Sequence, residues 1–336
     1  MSIAGSLLTG CQTLGESGGD SAVVFARAEP AERSYHVQPA DGGRPPSALN
    51  VRGAGNLRTA PRAGIAAATV STGPTGSAEL RLLPLGSSAG ERVLASEWAW
   101  DFALRAEGDA IAWIAGRERR ELFVARAPEW KPVAVATPVG AEPSEPRWLS
   151  PDRLLVVLRR TDYSELAEIA TGSGAVQVVY HAMGRAALAD ACPVAGTADV
   201  VVVESPEGDR PARVLRIALE GGQPEVLATG YFAGGTLAVS PDGRYIGAVW
   251  NEAAAPVLRR EAAWRWIGPA WAGAPESVPG VTALVWSPDG AQMVLARQRE
   301  GRRWIEVYSA SAANRPRRLG FEDAECLAPQ WWRMSR

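Results

Sequence analysis

Short apolar runs separated by polar turns occupy most of the chain, and their spacing is typical of β-strands. The clearest unit starts with the apolar run 282–286, turns through Ser-Pro-Asp-Gly at 287–290, and continues as the apolar run 292–297. Proline presets φ, aspartate caps the turn and glycine takes the positive φ, so this phrase predicts a hairpin. A third run, 303–308, alternates polar and apolar residues, and a fourth, 315–319, carries charges and a proline, as edge strands do. The pattern predicts a four-stranded antiparallel sheet.

The hairpin phrase recurs along the chain and sets a period. It is present again at 240–243 and in part at 150–152. With weaker copies placed by spacing, the turn markers fall at residues 61, 106, 151, 193, 241, 288 and 333. A period between 40 and 50 residues, with strands on both sides of each turn, is typical of β-propeller blades. We therefore predict an all-β propeller of four-stranded blades with seven blades, or six if the degraded unit at Pro61 is not a blade.

The two ends of the chain complement each other in this scheme. The first apolar runs, 22–27, 33–37 and 48–51, form a blade that lacks its inner strand. The last run, 329–334, is an inner strand with nothing after it. We expect the terminal inner strand to join the first three strands and close the ring, because closure removes exposed sheet edges. Residues 21–336 would then form one propeller domain.

The segment before the propeller contains Leu8-Thr9-Gly10-Cys11, which resembles a bacterial lipobox. The resemblance implies a signal remnant at residues 1–10, a lipid on Cys11, and a polar, glycine-rich tether at 11–20. One departure is that no Lys or Arg precedes Cys11 and the apolar stretch is short, whereas secretory signals carry a positive n-region and a longer apolar core. The alternative is a chance match in a frayed cytosolic N-terminus.

The Trp-Ser-Pro-Asp-Gly phrase at 286–290 resembles the PD40 repeats of TolB-like β-propellers, and the resemblance covers most of the chain from about residue 60. TolB itself carries an α/β domain ahead of six blades, and no such domain fits into residues 12–50. WD40 repeats would show Gly-His and Trp-Asp pairs, but the single Trp-Asp pair here, Trp100-Asp101, lies in the wrong place. The resemblance implies a propeller fold and is not specific for one function.

Composition narrows the functional classes. Apolar residues make up 46% of the chain and charged residues 21%, so the chain is globular, and a net charge of −2 argues against a nucleic-acid partner. The only histidines are His36 and His181, and the three cysteines, Cys11, Cys192 and Cys326, are far apart in sequence. This spacing gives neither a disulfide framework nor a metal motif, so we expect no metal or cofactor, and free buried thiols at Cys192 and Cys326.

No catalytic motif has the context it requires. Residues 15–19 match the pattern G-x-S-x-G, but they lie in the polar tether, without the strand and helix that a nucleophile elbow needs. Carboxylates and arginines are not concentrated in any one stretch. We therefore predict no catalytic residues and a protein that is not an enzyme.

Tryptophan is frequent, with 13 residues, and the stretch around 257–271 combines it with arginine. One interpretation is an exposed surface for a partner protein formed by Arg259, Arg260, Trp264, Trp266 and Trp271. The other is that these tryptophans pack between blades as core.

Together these observations predict a non-catalytic, lipid-anchored propeller of the bacterial cell envelope, facing the periplasm or the exterior. Its role would be to bind or scaffold an envelope protein or peptide. The alternative is a propeller enzyme, a lyase or hydrolase, acting on a polysaccharide or peptide in the central channel.

Overall fold

The computed structural model describes residues 21–333 apart from 29–32, 53, 61–62, 73–76, 85–89, 97, 183, 209, 233–236, 252–261, 311–314 and 322–325. Within these residues the secondary structure consists of 28 β-strands without a helix. The described part accordingly contains no helix that is long and apolar enough to cross a membrane. The prediction of an all-β chain is confirmed.

The strands form seven four-stranded units, here called blades 1 to 7. Each unit is antiparallel and, in blades 2 to 7, uses four consecutive strands. The strands of blades 1 to 4 are β1 (Ser21–Ala28), β2 (Arg33–Pro39), β3 (Ser47–Arg52), β4 (Ala54–Ala60), β5 (Ile65–Ser71), β6 (Ala78–Pro84), β7 (Arg92–Ala95), β8 (Ala99–Leu104), β9 (Ala110–Ala115), β10 (Glu121–Arg126), β11 (Val133–Val135), β12 (Glu142–Trp148), β13 (Arg153–Arg159), β14 (Ser164–Ala170) and β15 (Val176–His181).

Blades 5 to 7 follow the same order, and the last strand returns to blade 1. Their strands are β16 (Ala187–Val194), β17 (Asp199–Ser205), β18 (Ala212–Ala218), β19 (Glu225–Phe232), β20 (Ala238–Val239), β21 (Ile246–Asn251), β22 (Ala263–Trp266), β23 (Ser277–Pro279), β24 (Val281–Trp286), β25 (Gln292–Arg299), β26 (Arg302–Ser309), β27 (Arg317–Leu319) and β28 (Cys326–Arg333). One irregularity joins two blades: β19 also pairs with β21, through Tyr231 opposite Asn251 and Phe232 opposite Trp250.

Blade 1 contains the ring closure. Strand β28 pairs antiparallel with β1, from Ser21 opposite Arg333 to Arg27 opposite Cys326, and the sheet continues through β2 and β3. The inner strand of blade 1 therefore comes from the end of the chain, as predicted. Two hydrogen bonds tie this strand to its neighbours: Thr59 Oγ1 donates to the Trp331 carbonyl at 2.5 Å, and Trp331 Nε1 donates to the Val285 carbonyl at 3.1 Å.

The hydrophobic core lies between the sheets. Buried apolar residues form seven clusters, and each cluster joins one pair of neighbouring blades. Blades 7 and 1 share one of them, where Val294 and Ile305 pack with Val23 and Phe25. Every blade thus buries both faces against other blades, which explains why second strands such as β13 (sequence RLLVVLR) are apolar runs rather than alternating ones.

The repeated turn phrase has the chemistry expected of it. In blade 7, Ser287 Oγ donates to Asp289 Oδ1 at 2.5 Å, and the Gly290 N–H donates to the Ser287 carbonyl at 2.9 Å. In blade 6, Ser240 Oγ donates to Asp242 Oδ1 at 2.5 Å. The phrase is therefore a structural hairpin turn between the first two strands of a blade.

Gly243 in the turn of blade 6 offers a stability test. Its φ is +72°, and a Cβ there would lie 2.7 Å from the Ala195 carbonyl oxygen in blade 5. Gly243→Ala should therefore lower the free energy of unfolding by about 2–4 kcal/mol, from left-handed strain and overpacking together. Gly196→Ala is the matched control, because its φ is +76° but nothing lies within 4 Å of the added Cβ. Urea unfolding that gave equal losses for both variants would contradict a clash between blades.

Candidate functional site in the central channel

The inner strands of blades 3, 4 and 5 each contain a β-bulge at the same place. In β8 the bulged residue is Trp100, in β12 the bulge begins at Glu145, and in β16 at Asp190. Glu145 and Asp190 have φ values of 51° and 56°, which non-glycine residues rarely adopt. Such backbone costs about 1–3 kcal/mol per residue and tends to accumulate at functional sites. The inner strands β4 and β24 are bulged as well, so the bulge recurs around the ring and does not by itself single out a site.

Charged side chains gather next to these bulges. Asp101, Arg147 and Cys192 each hold the first paired position after the bulge of their strand. The side chain of Arg58, on β4 of blade 2, is solvent-exposed, but many protein atoms surround its guanidinium, and this desolvation lowers its pKa. The charge of Arg147 lowers the pKa of Arg58 further, whereas the charge of Asp101 raises it. Four consecutive blades therefore contribute to one electrostatically coupled cluster.

Glu145 is a carboxylate of this cluster with a shifted pKa. Its burial raises its pKa, and so does the nearby negative charge of Asp190. Two other contacts lower the pKa of Glu145: the Asp190 N–H donates to Glu145 Oε2 at 2.7 Å, and Arg147 contributes a positive charge. Arg159 approaches Glu145 Oε1 at 3.7 Å. A carboxyl group with a raised pKa beside other charged groups is a candidate for proton transfer or for direct binding of a ligand group.

Cys192 lies in the same cluster and is a free cysteine. Its thiol donates to the Leu237 carbonyl of the next blade at 3.6 Å. Burial raises the pKa of Cys192 to about 11, and the acidic neighbours Asp190 and Glu145 add to the increase. The prediction of a free thiol is confirmed for Cys192. Cys11 and the side chain of Cys326 lie outside the described residues.

The raised pKa of Cys192 predicts low reactivity. Relative to an ordinary thiol with a pKa of 9.0, a pKa of about 11 lowers the thiolate fraction at pH 8 about 100-fold. In a variant carrying Cys11→Ser and Cys326→Ser, iodoacetamide should therefore alkylate the native protein about 100 times more slowly than the same protein unfolded in urea. The rate should rise steeply between pH 9 and 11. A native rate equal to the unfolded rate at pH 8 would show that the thiol is not held in this environment.

An aromatic pair lies next to Asp101 in sequence, at the start of β8. Trp98 precedes β8, and Trp100 is the bulge residue adjacent to Asp101; their ring centroids are 5.9 Å apart. Trp100 is 44% exposed although its indole Nε1 donates to the Gly116 carbonyl at 2.9 Å. The guanidinium of Arg117 lies over the Trp98 ring at 5.3 Å, and that of Arg120 over the Trp100 ring at 5.2 Å. We call these four residues the rim patch.

The prediction of an exposed tryptophan surface near residue 264 is wrong. Trp264 is fully buried and Trp271 is 4% exposed, and both belong to the core between blades 6 and 7. Trp266 is partly buried and packs on Trp264 at 5.6 Å between centroids. Arg259 and Arg260 lie outside the described residues. The other interpretation of these tryptophans, packing between blades, is the one that the structure supports.

The two histidines lie on different blades. His36, on β2, is buried and contacts the Phe321 ring at 4.8 Å, while His181, on outer strand β15, is 3.1 Å from Glu165. In the part of the chain that the structure describes, no group of three or more His, Cys, Asp or Glu side chains is placed to hold a metal ion. The lipobox with Cys11 and the G-x-S-x-G match at 15–19 precede the described residues.

Sequence reasoning missed both the channel cluster and the rim patch. Trp100, Glu145 and Asp190 are each 45 residues apart, so the repeat period itself places them at one level of the ring. The expectation that no concentrated acid–base cluster exists holds along the sequence but not in space. Aligning the repeats on their turns and comparing the inner strands would have found the site.

The closed ring of four-stranded antiparallel units defines a β-propeller. No protein-family model and no curated protein matches the chain. Among solved structures, TolB from Acinetobacter baumannii is 16% identical, with 93% of this chain and 82% of that chain covered, at a TM-score of 0.54. An oligogalacturonate lyase solved in complex with manganese is 13% identical, covering 91% and 86%, at 0.60.

The β-propeller domain of the Trilobed protease from Pyrococcus furiosus is also similar, at 11% identity, 91% and 96% coverage and a TM-score of 0.60. At such low sequence identities, the structural similarity establishes the fold alone. The chain has the fold of TolB-like β-propellers, as its repeated turn phrase suggested.

Proposed function

We propose that this protein is a non-catalytic binding propeller of the bacterial cell envelope that holds a protein or peptide partner at its rim patch. The observation that carries the proposal is the Trp98–Trp100 pair, in which Trp98 is partly buried and Trp100 is 44% exposed. Trp and Arg are among the residue types most enriched at energetically dominant interface positions. The likeness to TolB is compatible with this role, and the lipobox resemblance at Cys11 supports the envelope location.

The test is partner capture in the native host. Cross-linking followed by mass spectrometry should yield partners that are lost when Trp98 and Trp100 are both changed to alanine. Val226→Ala is the control, because Val226 is exposed on an outer strand of blade 5, away from the channel. Partners that persist in the double variant, or that are lost equally in the control, would refute a binding role for the rim patch.

The envelope location is tested separately. Acyl labelling of intact cells should mark the wild type and not Cys11→Ala. Absence of lipid on the wild type, or equal labelling of both proteins, would refute the lipid anchor without touching the binding role.

A second candidate function, a propeller enzyme, is favoured by one observation: the raised pKa of Glu145 beside Asp190, with Arg58 and Arg147 on the same channel wall. A carboxyl group with a raised pKa near a second carboxylate fits acid–base chemistry on a polysaccharide or peptide. In a screen of such substrates, turnover by the wild type that falls at least about 100-fold in Glu145→Gln would support the enzyme. Turnover that is absent, or unchanged in the variant, would dismiss it.

A further inference from the structure

A groove with a volume of about 630 Å³ lies between blades 3 and 4. Val124 and Val133 of blade 3 and Pro151 of blade 4 form the apolar part of its wall, and Val133 is 56% exposed. The volume falls in the range of about 300–1,000 Å³ in which proteins bind small molecules. A ligand of that size would cover an apolar wall that is otherwise open to solvent.

The groove lies at the opposite end of the blades from the rim patch. Pro151 and Asp152 follow the end of β12, whereas Trp100 stands at the start of β8. The ends of these two strands lie side by side, because Trp148 Nε1 donates to the Ala103 carbonyl at 2.9 Å. A ligand in the groove therefore leaves the rim patch free for a partner.

Hydrogen bonds hold the polar part of the wall in place. Arg126 Nη2 donates to Thr171 Oγ1 at 2.8 Å, and the Arg126 guanidinium lies over the Trp148 ring at 5.4 Å. Thr171 Oγ1 donates in turn to the Asp152 carbonyl at 3.0 Å, and Asp152 Oδ1 accepts from Ser150 Oγ at 2.7 Å. The wall is therefore formed before a ligand arrives, which reduces the ordering that binding would cost.

The loop that carries Glu129 and Lys131, both on the groove wall, is anchored as well. Trp130 between them has a φ of 52°, and its ring packs on the core cluster between blades 2 and 3. The Trp130 N–H donates to the Arg126 carbonyl at 2.7 Å, and Arg92 of blade 2 donates to the Glu129 carbonyl. Left-handed backbone at a bulky residue is costly and tends to be kept at functional sites.

Four charged side chains, two of each sign, line the groove: Arg126, Lys131, Glu129 and Asp152. None of them forms an ion pair with another residue in the part of the chain that the structure describes. Balanced charges argue against a ligand of one sign. Since they do not neutralise each other by pairing, they match a ligand that carries both a cation and an anion.

We infer that the groove binds a zwitterionic peptide of about two or three residues, with free termini and apolar side chains. The site is separate from the proposed partner surface. Arg126 takes the carboxylate, because its planar fork suits that group and is already held in place. The exposed carboxylate of Asp152 takes the ammonium group, and the apolar side chains pack on Val124 and Val133.

The test is calorimetric titration of the full chain with the dipeptide Leu-Leu. Leu-Leu should bind, whereas N-acetyl-Leu-Leu and Leu-Leu-amide, which each lack one terminal charge, should bind at least about 10-fold more weakly. Arg126→Gln and Asp152→Asn should each weaken the binding of Leu-Leu by a similar factor, because each leaves one charged terminus without its partner.

Two variants on other blades are the matched controls, and both should bind Leu-Leu like the wild type. Asp289→Asn is one, because Asp289 Oδ1 accepts the same kind of bond, from Ser287 Oγ at 2.5 Å, in the turn of blade 7. Arg244→Gln is the other, because Arg244 also lies over an aromatic ring, that of Tyr245 at 5.7 Å, in blade 6.

Gly172→Phe gives a test that removes no charge. Gly172 lies on the groove wall, and a Cβ there would meet no atom within 4 Å, so the fold accepts a side chain that occupies the groove. Binding of Leu-Leu should be lost in this variant. It should be retained in Gly90→Phe on blade 2, where an added Cβ also meets nothing within 4 Å.

Absence of Leu-Leu binding to the wild type, or equal binding of the three compounds, would overturn the inference. So would binding that survives Gly172→Phe, or losses that are as large in the control variants. Equal thermal melting of the variants and the wild type establishes that the comparison concerns binding and not folding. Host partners that depend on Trp98 and Trp100 test the proposed function separately, because neither residue lines the groove.

Discussion

Replacing Trp264 by alanine should lower the free energy of unfolding by about 3–5 kcal/mol, as expected for a fully buried aromatic side chain. Trp264 lies in the core between blades 6 and 7, where it contacts the Trp266 ring edge-on. Its indole fills the space over Gly247: a Cβ on that glycine would lie 1.8 Å from Trp264 Cζ2. Gly247 has no side chain that could fill the cavity that the variant leaves. Urea unfolding followed by circular dichroism measures the loss.

Two further variants serve as controls for this prediction. Trp100→Ala removes an equally large side chain that is half exposed, so it should cost no more than about 1 kcal/mol. Trp264→Phe should recover most of the stability, because it refills the space and removes a buried indole N–H that has no hydrogen-bond partner among the described residues. Equal losses for Trp264→Ala and Trp100→Ala would contradict the placement of Trp264 in the core.

Deleting residues 326–336 should abolish the cooperative unfolding transition, which is the largest effect that the fold predicts. The deletion removes β28, the inner strand of blade 1, and with it the partner of β1 from Ser21 to Arg27. It also removes the buried Trp331, which contacts both blade 7 and blade 2 through hydrogen bonds. Two neighbouring sheet interfaces then lose their cover, and an edge of β1 becomes free to pair with other chains. Circular dichroism and size-exclusion chromatography would register a loosened, associating protein.

The same variant allows a rescue experiment. A synthetic peptide of residues 326–336 should restore part of the transition when added to the truncated chain, because the closure is non-covalent. A peptide with Trp331 changed to alanine should restore much less. A truncated chain that unfolds with the wild-type midpoint would show that β28 does not close the ring.

Much of the fold could be predicted from local patterns. The turn phrase needs particular residues, Pro for φ and Gly for positive φ, so it survives in the sequence as a repeated signal at residues such as Pro241 and Pro288. The ring closure could be predicted because the last apolar run is an inner strand without a blade, and the first three runs form a blade without an inner strand. Pairing these two parts satisfies both. The turn and the ring closure were both predicted from local residue properties: turn propensity in one case and apolar strand patterns in the other.

The site could not be predicted in the same way. A bulge at Glu145 or Asp190 leaves no mark in the hydrophobic pattern, because it depends on how one strand pairs with the next. Trp264 looks like a surface residue in sequence, since arginines surround it. Its burial depends on the absence of a side chain at Gly247, across the sheet. Contacts between strands and between blades decided both cases, and a single sequence does not display them.

The closure by β28 has a consequence for how the protein is made. Ser21 pairs with Arg333, so β1 is synthesised long before its partner strand β28. Until residues 326–333 have been synthesised, the ring cannot close and β1 has no partner on that edge. Much of the cost of long-range loop closure therefore falls on a late step of folding.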